Sequence, residues 1–235
     1  MKYKRILLKL SGESLAGISG QGFDTSMLEL YANEIKDAIE NGIQVAVVLG
    51  GGNIFRGLKG NHTGTDRVNG DYMGMLATVI NSLALQSALQ NVGIKSKILS
   101  GLAVEPIAQK VSGPKAISSL EKGYVVILAG GTGNPFFTTD SAAALRAIEI
   151  QADVLLKGTR VDGVYTADPE KDPTATKFKS LTFDEAYSKG LNIMDMTAFT
   201  LCSENKMPVI VFDFHKAGNL QKILNGDNCG TLICI

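Results

Sequence analysis

The sequence predicts an α/β protein, an open, mostly parallel sheet with helices on both faces. Three observations carry that reading. Short β-branched runs, apolar on both faces, alternate with longer segments of helical period, the pattern of a sheet covered on both sides. The chain has 235 residues, 45% of them hydrophobic, enough to bury a core of one domain, with lobes meeting near residue 157. Several strand ends run straight into glycine-rich turns.

In chain order, Arg5–Leu10 reads as a strand, followed by the small-residue turn Ser11-Gly12-Glu13-Ser14. Residues 25–41 place Leu28, Tyr31, Ile35, Ala38 and Ile39 on one helical face, with Gly42 as a stop. Gln44–Leu49 is a continuous apolar strand leading into Gly50-Gly51-Gly52. A long helix spans 68–91, with Met75, Val79, Leu83 and Leu89 among its apolar positions. Strand 94–99, short helix 116–122 and strand 124–129 lead to Gly130-Gly131-Thr132-Gly133. Helix 140–151 is Ala-rich, and 153–157 is a strand. Residues 166–179 form a polar loop with Asp168-Pro169 and Asp172-Pro173 as turn formers. Segments 181–189, 197–206 and 220–224 are helical, and 208–212 is a strand.

Lys plus Arg and Asp plus Glu both number 23, so the formal net charge is zero. That balance argues against bulk binding to nucleic acid or an anionic membrane and leaves anions to local sites. The apolar stretches 45–49 and 125–129 fall far short of the ~20 residues that cross a bilayer. Lys9 cuts the early apolar run, so no secretory segment is expected. Cys202, Cys229 and Cys234 lack C-x-x-C spacing and read as buried or free thiols of a reducing compartment. His62 and His215 carry no metal-ligand pattern, and a cytoplasmic location is expected.

In open α/β sheets ligands sit beyond the carboxyl ends of the strands. Ser11-Gly12, Gly50-Gly51-Gly52-Asn53 and Gly130-Gly131-Thr132-Gly133-Asn134 each follow a strand. Glycine lets backbone N–H groups converge on an anion, though tight turns also need it. Three such turns on one sheet edge suit a substrate with several phosphates. Neither G-x-x-x-x-G-K-[ST] nor G-x-G-x-x-G occurs, and H-R-D and D-F-G are missing, which excludes P-loop enzymes and protein kinases. Lys9, Arg56 and Lys157 lie near the presumed ligand edge and are the candidate charges; each alone is also explained by snorkelling.

Longer strings are more specific. Lys9-Leu10-Ser11-Gly12-Glu13, Gly50-Gly51-Gly52-Asn53-Ile54-Phe55-Arg56-Gly57 and Gly70-Asp71-Tyr72-Met73-Gly74-Met75-Leu76-Ala77 resemble the amino-acid-kinase superfamily. Gly131-Thr132-Gly133-Asn134-Pro135-Phe136-Phe137-Thr138-Thr139-Asp140 and Val161-Asp162-Gly163-Val164-Tyr165-Thr166-Ala167-Asp168-Pro169 do so too, and within it the chain resembles the bacterial uridylate (UMP) kinases. The resemblance runs from Lys4 to the final strand around Gly230-Thr231-Leu232-Ile233 and implies a three-layer sandwich. It implies transfer of the γ-phosphoryl group of ATP, carried with Mg²⁺, to UMP. Lys9, Ser11 and Gly12, with Gly52 and Arg56, would meet the ATP phosphates, and Thr159, Tyr165 and Asp168 the adenosine end. Gly51, Asp71, Thr132, Gly133, Asn134, Pro135, Phe136, Phe137, Thr138 and Thr139 would hold UMP. It further implies GTP activation involving Gly17, Gly20 and Gly22, UTP inhibition, a homohexamer, a UMP lobe at 1–157 and an ATP lobe at 158–235. Residues 58–66 and 105–114 lie outside the resembling strings.

The residues fit that chemistry. A phosphate monoester, with a second pKa of about 6, is largely ionised at neutral pH, so no catalytic histidine is required. Cations must offset the repulsion between two nucleotides, and Lys9, Lys157 and Arg56 are the candidates. Asp140 reads either as a helix N-cap or as the group that orients the lysines or the hydrated metal. Asp71 could hold ribose hydroxyls or complement a helix dipole. Thr138 and Thr139 could donate to uracil or phosphate, or form ST-turns. Tyr165 could stack on adenine or cap its strand. Phe136 and Phe137 read as shape-forming, more often core, and Met73, Met75 and Met207 as core filler. A nucleotide-binding module without turnover, or a kinase of carboxylates or carbamate, are the competing readings.

Overall fold

The computed structural model describes residues 1–55, 66–169 and 171–235. Chain order runs β1 (Arg5–Leu10), α1 (Gly12–Leu15), α2 (Thr25–Glu40), β2 (Gln44–Leu49), α3 (Arg67–Asn91), β3 (Ser96–Ser100) and β4 (Gln109–Lys110). It continues through α4 (Gly113–Glu121), β5 (Val125–Ala129), α5 (Thr139–Glu149), β6 (Val154–Thr159), β7 (Ser180–Thr182), α6 (Phe183–Ser188) and α7 (Met196–Glu204). β8 (Val209–Asp213), α8 (Asn219–Asn225) and β9 (Gly230–Cys234) complete the chain. The strands form one sheet in the order β4-β3-β5-β2-β1-β6-β8-β9-β7. Only the β8–β9 pairing among the named strands is antiparallel.

Side-chain alternation along each strand builds two separate apolar layers. Ile6, Leu8 and Leu10 of β1 face one way and pack with Tyr31 and Ile35 of α2, Leu85 and Leu89 of α3 and Leu220 of α8. Leu7 faces the other way and packs with Leu120 of α4, Ala143 and Ala147 of α5 and Cys202 of α7. Helix, sheet and helix therefore form three layers, as the resemblance implied. α5 fits close to the sheet because its inner face is alanine, at Ala143, Ala144 and Ala147, all 1% exposed or less.

Most sequence-derived elements fall within a few residues of their expected bounds. The exceptions have local causes. Residues 11–14 were expected as a turn but hold the one-turn helix α1, capped by Ser11, whose hydroxyl accepts from Glu13 N. β4 and β7 are two- and three-residue strands of largely polar sequence, too short to show any period. Met73 was expected in the core but is 43% exposed, because it lies on the outer side of α3. By length and composition α3 could also cross a bilayer, but its buried residues, Val79, Leu85 and Leu89, belong to the core over the sheet.

The chain leaves β1 towards β2, β5, β3 and β4 on one side and reaches β6 and the later strands on the other. That reversal marks β1 and β6 as the switch point where doubly wound sheets bind ligands.

Candidate active site

Lys9 and Lys157 are directly paired Cα positions of the parallel strands β1 and β6. Alternation sends both side chains to the α5 face, in line with Leu7 and Leu155. Two like charges in paired register repel unless a counter-charge lies between them. α5 supplies it. Asp140 Oδ1 lies 2.8 Å from Lys9 Nζ, and its Oδ2 lies 2.6 Å from Lys157 Nζ, so one carboxylate bridges both ammonium groups. Lys157 Nζ also donates to the Ile193 carbonyl at 2.6 Å. All three side chains are less than one-fifth exposed.

Burial raises the Asp140 carboxyl, but the charges and hydrogen bonds of Lys9 and Lys157 outweigh it and hold the pKa at about 2. Burial, the largest effect, lowers the Lys157 ammonium, with Lys9 adding to it and Asp140 opposing. The centre thus carries two ammonium groups and one firmly ionised carboxylate. Asp140 is not the helix cap. Thr138 holds that place, its hydroxyl accepting from Asp140 N and Ser141 N, which frees the Asp140 side chain for the lysines.

The glycine turns follow β1, β2 and β5, which are adjacent in the sheet, so they share one edge beside the lysines. Gly12 shows how closely they meet. A Cβ on it would fall 2.5 Å from Gly50 O and 2.7 Å from Gly52 N, distances no side chain tolerates. A cavity of about 750 Å³ opens at this edge, lined by Lys9, Ser11, Lys157, Thr159, Asp213 and His215 among others, Gly17 and Gly20 included. Thr159 closes β6, its hydroxyl donating to Val161 O at 2.6 Å. Tyr165 and Asp168 are not among the lining residues. Their loop is held separately: Tyr165 Oη donates to Asp162 at 2.6 Å, and Asp168 pairs with Lys171 at 3.3 Å.

Asp71 lies in the second turn of α3 and reaches the loop after β5. Its Oδ2 accepts from Phe136 N at 2.7 Å and from Arg67 Nε at 2.9 Å. Oδ1 accepts neither. Phe136 is strained, with φ 73° on a residue that has a Cβ. Phe136 and Phe137, read as shape-forming, lie at the surface, 65% and 47% exposed, and the Arg67 guanidinium sits 5.7 Å from the Phe136 ring centroid. Thr132 Oγ1 donates to Asn134 O and accepts from Asn134 N, folding the loop on itself before Pro135. Gly133 N bonds back to Gly130 O. Thr139 begins α5 and sits between the cap Thr138 and Asp140.

Lys9, Ser11, Gly12, Gly51, Gly52, Asp140, Lys157 and Thr159 therefore gather at one edge, with Asp71 and the 132–139 loop alongside. Arg56, expected to add charge there, lies outside the described residues. Gly17, Gly20 and Gly22 fall on the turns after α1, and Gly22 pairs with Asn53 through Gly22 N and Asn53 O at 3.2 Å.

Several contributors were not read from the sequence. Asp195, the cap of α7, accepts the hydroxyls of Thr138 and Ser141, the latter at 2.8 Å, and so ties α7 to the start of α5. Arg146, 6% exposed, reaches the Gly131 carbonyl at 3.3 Å and the Glu149 carboxylate at 2.6 Å. Thr78 and Asn81 bond to two glycine turns. Only the separation of 138 from 195 in sequence hides the first; the others are ordinary helix residues whose partners fold alone supplies.

Comparison with known proteins places the whole chain in a family. Residues 4–213 match the family described as the amino acid kinase family. A protein of Parabacteroides distasonis called uridylate kinase is 60% identical over 232 residues, 99% of this chain and 98% of that one. The crystal structure of UMP kinase from Bacillus anthracis superposes with a TM-score of 0.96 at 38% identity, covering 100% of this chain and 97% of that one. That of UMP kinase from Ureaplasma parvum gives 0.94 at 36%, with all of both chains covered. The chain belongs to the amino acid kinase family.

Proposed function

We propose that this protein is a UMP kinase that transfers the γ-phosphoryl group of ATP to UMP, giving UDP and ADP. The observation that carries the reading is the Asp140 carboxylate bridging Lys9 and Lys157 at the edge where the glycine turns converge. The names and whole-chain likeness of its relatives support it.

Phosphoryl transfer passes through a loose transition state, so positioning and charge neutralisation supply most of the rate. The attacking UMP oxygen is already ionised and needs no base. Lys9 and Lys157 flank the transferring group, their ammonium groups facing the oxygens between donor and acceptor. Asp140, ionised at every working pH, holds both lysines at fixed spacing. Ser11, Gly12 and Gly52, with Arg56, receive the ATP phosphates, and Thr159, Tyr165 and Asp168 the adenosine. Gly51 and the loop from Thr132 to Thr139 receive UMP, and Asp71 offers Oδ1 to the ribose hydroxyls.

A divalent ion such as Mg²⁺, carried with ATP, would supply further neutralisation of the phosphate charge. The chemistry of the site fits a metal carried by the phosphates: both oxygens of Asp140, the carboxylate beside the lysines, are held by ammonium groups. Residues 1–157 form the acceptor lobe and 158–235 the donor lobe. GTP activates through the turns of Gly17, Gly20 and Gly22, and UTP, which carries the uridine of the acceptor, inhibits. The enzyme works in pyrimidine nucleotide synthesis as a cytoplasmic homohexamer, without nucleic acid or membrane. Tyr72, Leu76, Ile80 and Leu83 form an exposed apolar stripe along α3, 38–47% accessible, which supports burial against another subunit.

The test is a panel of acceptors with ATP and Mg²⁺, with and without GTP, followed by ADP release. UMP as the preferred acceptor is expected. Phosphorylation of a carboxylate or carbamate in its place, or binding without turnover, would contradict the proposal.

A further inference from the structure

We propose that α3 carries a set of positioning residues, Thr78 and Asn81 with Asn53 facing them, which fix two glycine loops of the acceptor site in mutual register. The inference rests on the UMP-kinase reading above and adds residues that it does not use.

Positions 71, 74, 78 and 81 lie on one face of α3, at alternating spacings of three and four. Each touches a loop at the ligand edge. Asp71 accepts from Phe136 N, as described. A Cβ on Gly51 would fall 2.7 Å from Gly74 O, so the second glycine loop rests directly on the helix backbone. Thr78 Oγ1 accepts from Gly130 N at 2.8 Å and donates to Met75 O at 2.6 Å. Asn81 Nδ2 donates to Gly50 O at 2.6 Å and to Asn53 Oδ1 at 2.7 Å. Asn53 Nδ2 returns a bond to Asn81 Oδ1 at 3.0 Å and gives another to Gly22 O at 2.8 Å.

All four amide hydrogens of this asparagine pair are placed, at side chains 0% and 3% exposed, and Thr78 is 4% exposed. A core position needs only volume, and leucine or valine fills it without the cost of burying polar atoms. What the amides and the hydroxyl add is direction. A trans peptide sets its carbonyl and the following N–H on opposite sides. Holding Gly50 O against Asn81 therefore aims the Gly51 N–H away from α3. Holding Gly130 N against Thr78 fixes where the Gly130–Gly133 loop leaves β5. One helix face thus sets the distance between the two loops that would enclose UMP.

Thr78→Val keeps the shape and removes the hydroxyl, and Thr78→Ser keeps the hydroxyl. We expect Thr78→Val to raise the KM for UMP by about tenfold, the order set by one lost bond to a buried group, with the KM for ATP unchanged. Thr78→Ser should return it to the wild-type value. Asn53→Ala and Asn81→Ala release the loop that also carries Gly52, so each should raise the KM for both substrates, and the double variant should be no worse than the poorer single one. The Thr78 pair decides the matter should either asparagine variant not fold. Unchanged KM in Thr78→Val, an equal loss in Thr78→Ser, or parallel rises for both substrates in Thr78→Val would overturn the proposal. Calorimetric titration with UMP separates the two claims. A wild-type chain that binds UMP without turning it over contradicts only the reaction, and the same variant comparison is then read in Kd. One that binds no UMP contradicts both.

Discussion

The two halves of the site are built from different physics. At the junction of β1 and β6, two ammonium groups each lie within 3 Å of one carboxylate, and direction comes from Coulomb attraction at low exposure. Along the glycine loops the charged side chains of the scaffold are paired off, Asp71 with Arg67 and Arg146 with Glu149. Direction there comes from buried neutral hydrogen bonds between α3 and the backbone. A charged centre can follow a charge that moves between donor and acceptor. A neutral frame cannot, but it holds a fixed shape whatever the protonation state. The pairing suits a reaction in which one end must stabilise a migrating group while the other must keep its acceptor still.

If that division is right, the largest loss belongs to the charged half. Asp140→Asn and Lys9→Ala should each lower kcat by about 10²–10³, the scale for one electrostatic contributor, with the chain still folded by circular dichroism. Wild-type turnover in both would dissolve the distinction. Gly12→Ala probes where the halves touch. Its Cβ must displace Gly50 or Gly52, so kcat/KM should fall by about 10² for both substrates together. A loss confined to one substrate would show that the turns act separately. Asp71→Ala belongs to the half built around the loops and should raise the KM for UMP by about tenfold at nearly constant kcat. A change in kcat alone would move Asp71 to the other side.

The smallest effect is on stability against pH. Asp140 titrates at about 2 when folded against an ordinary 3.8, so the unfolded chain binds more protons across that interval. Stability from this group is complete above pH 4 and is lost as pH falls towards 2, amounting to about 2 kcal/mol. Acid unfolding should show that slope in the wild type and in Thr78→Val. Asp140→Asn should lack it, and an identical slope there would place the acid sensitivity elsewhere.

The same contrast explains what could be read without coordinates. The sheet and its helices follow from alternating apolar runs, and Lys9 and Lys157 stand out because charge at a strand end is conspicuous. Their pairing in register does not follow from sequence, since it depends on which strand neighbours β1. Asp140 was ambiguous because aspartate caps helices well; only the coordinates show Thr138 in that place. Thr78, Asn81 and Asn53 were silent. A threonine or asparagine inside a helix gives no periodic signal, and its meaning lies in a carbonyl or amide some thirty to fifty residues away. Met73 misled for the opposite reason: its apolar side chain faces outward here.

The account stands most directly on a crystal structure with UMP and a non-hydrolysable ATP analogue bound together. The terminal phosphate of the analogue should lie between Lys9 and Lys157, and the UMP phosphate should face it from the loops after β2 and β5. Either nucleotide seated away from that edge, or a terminal phosphate that touches neither lysine, would contradict it.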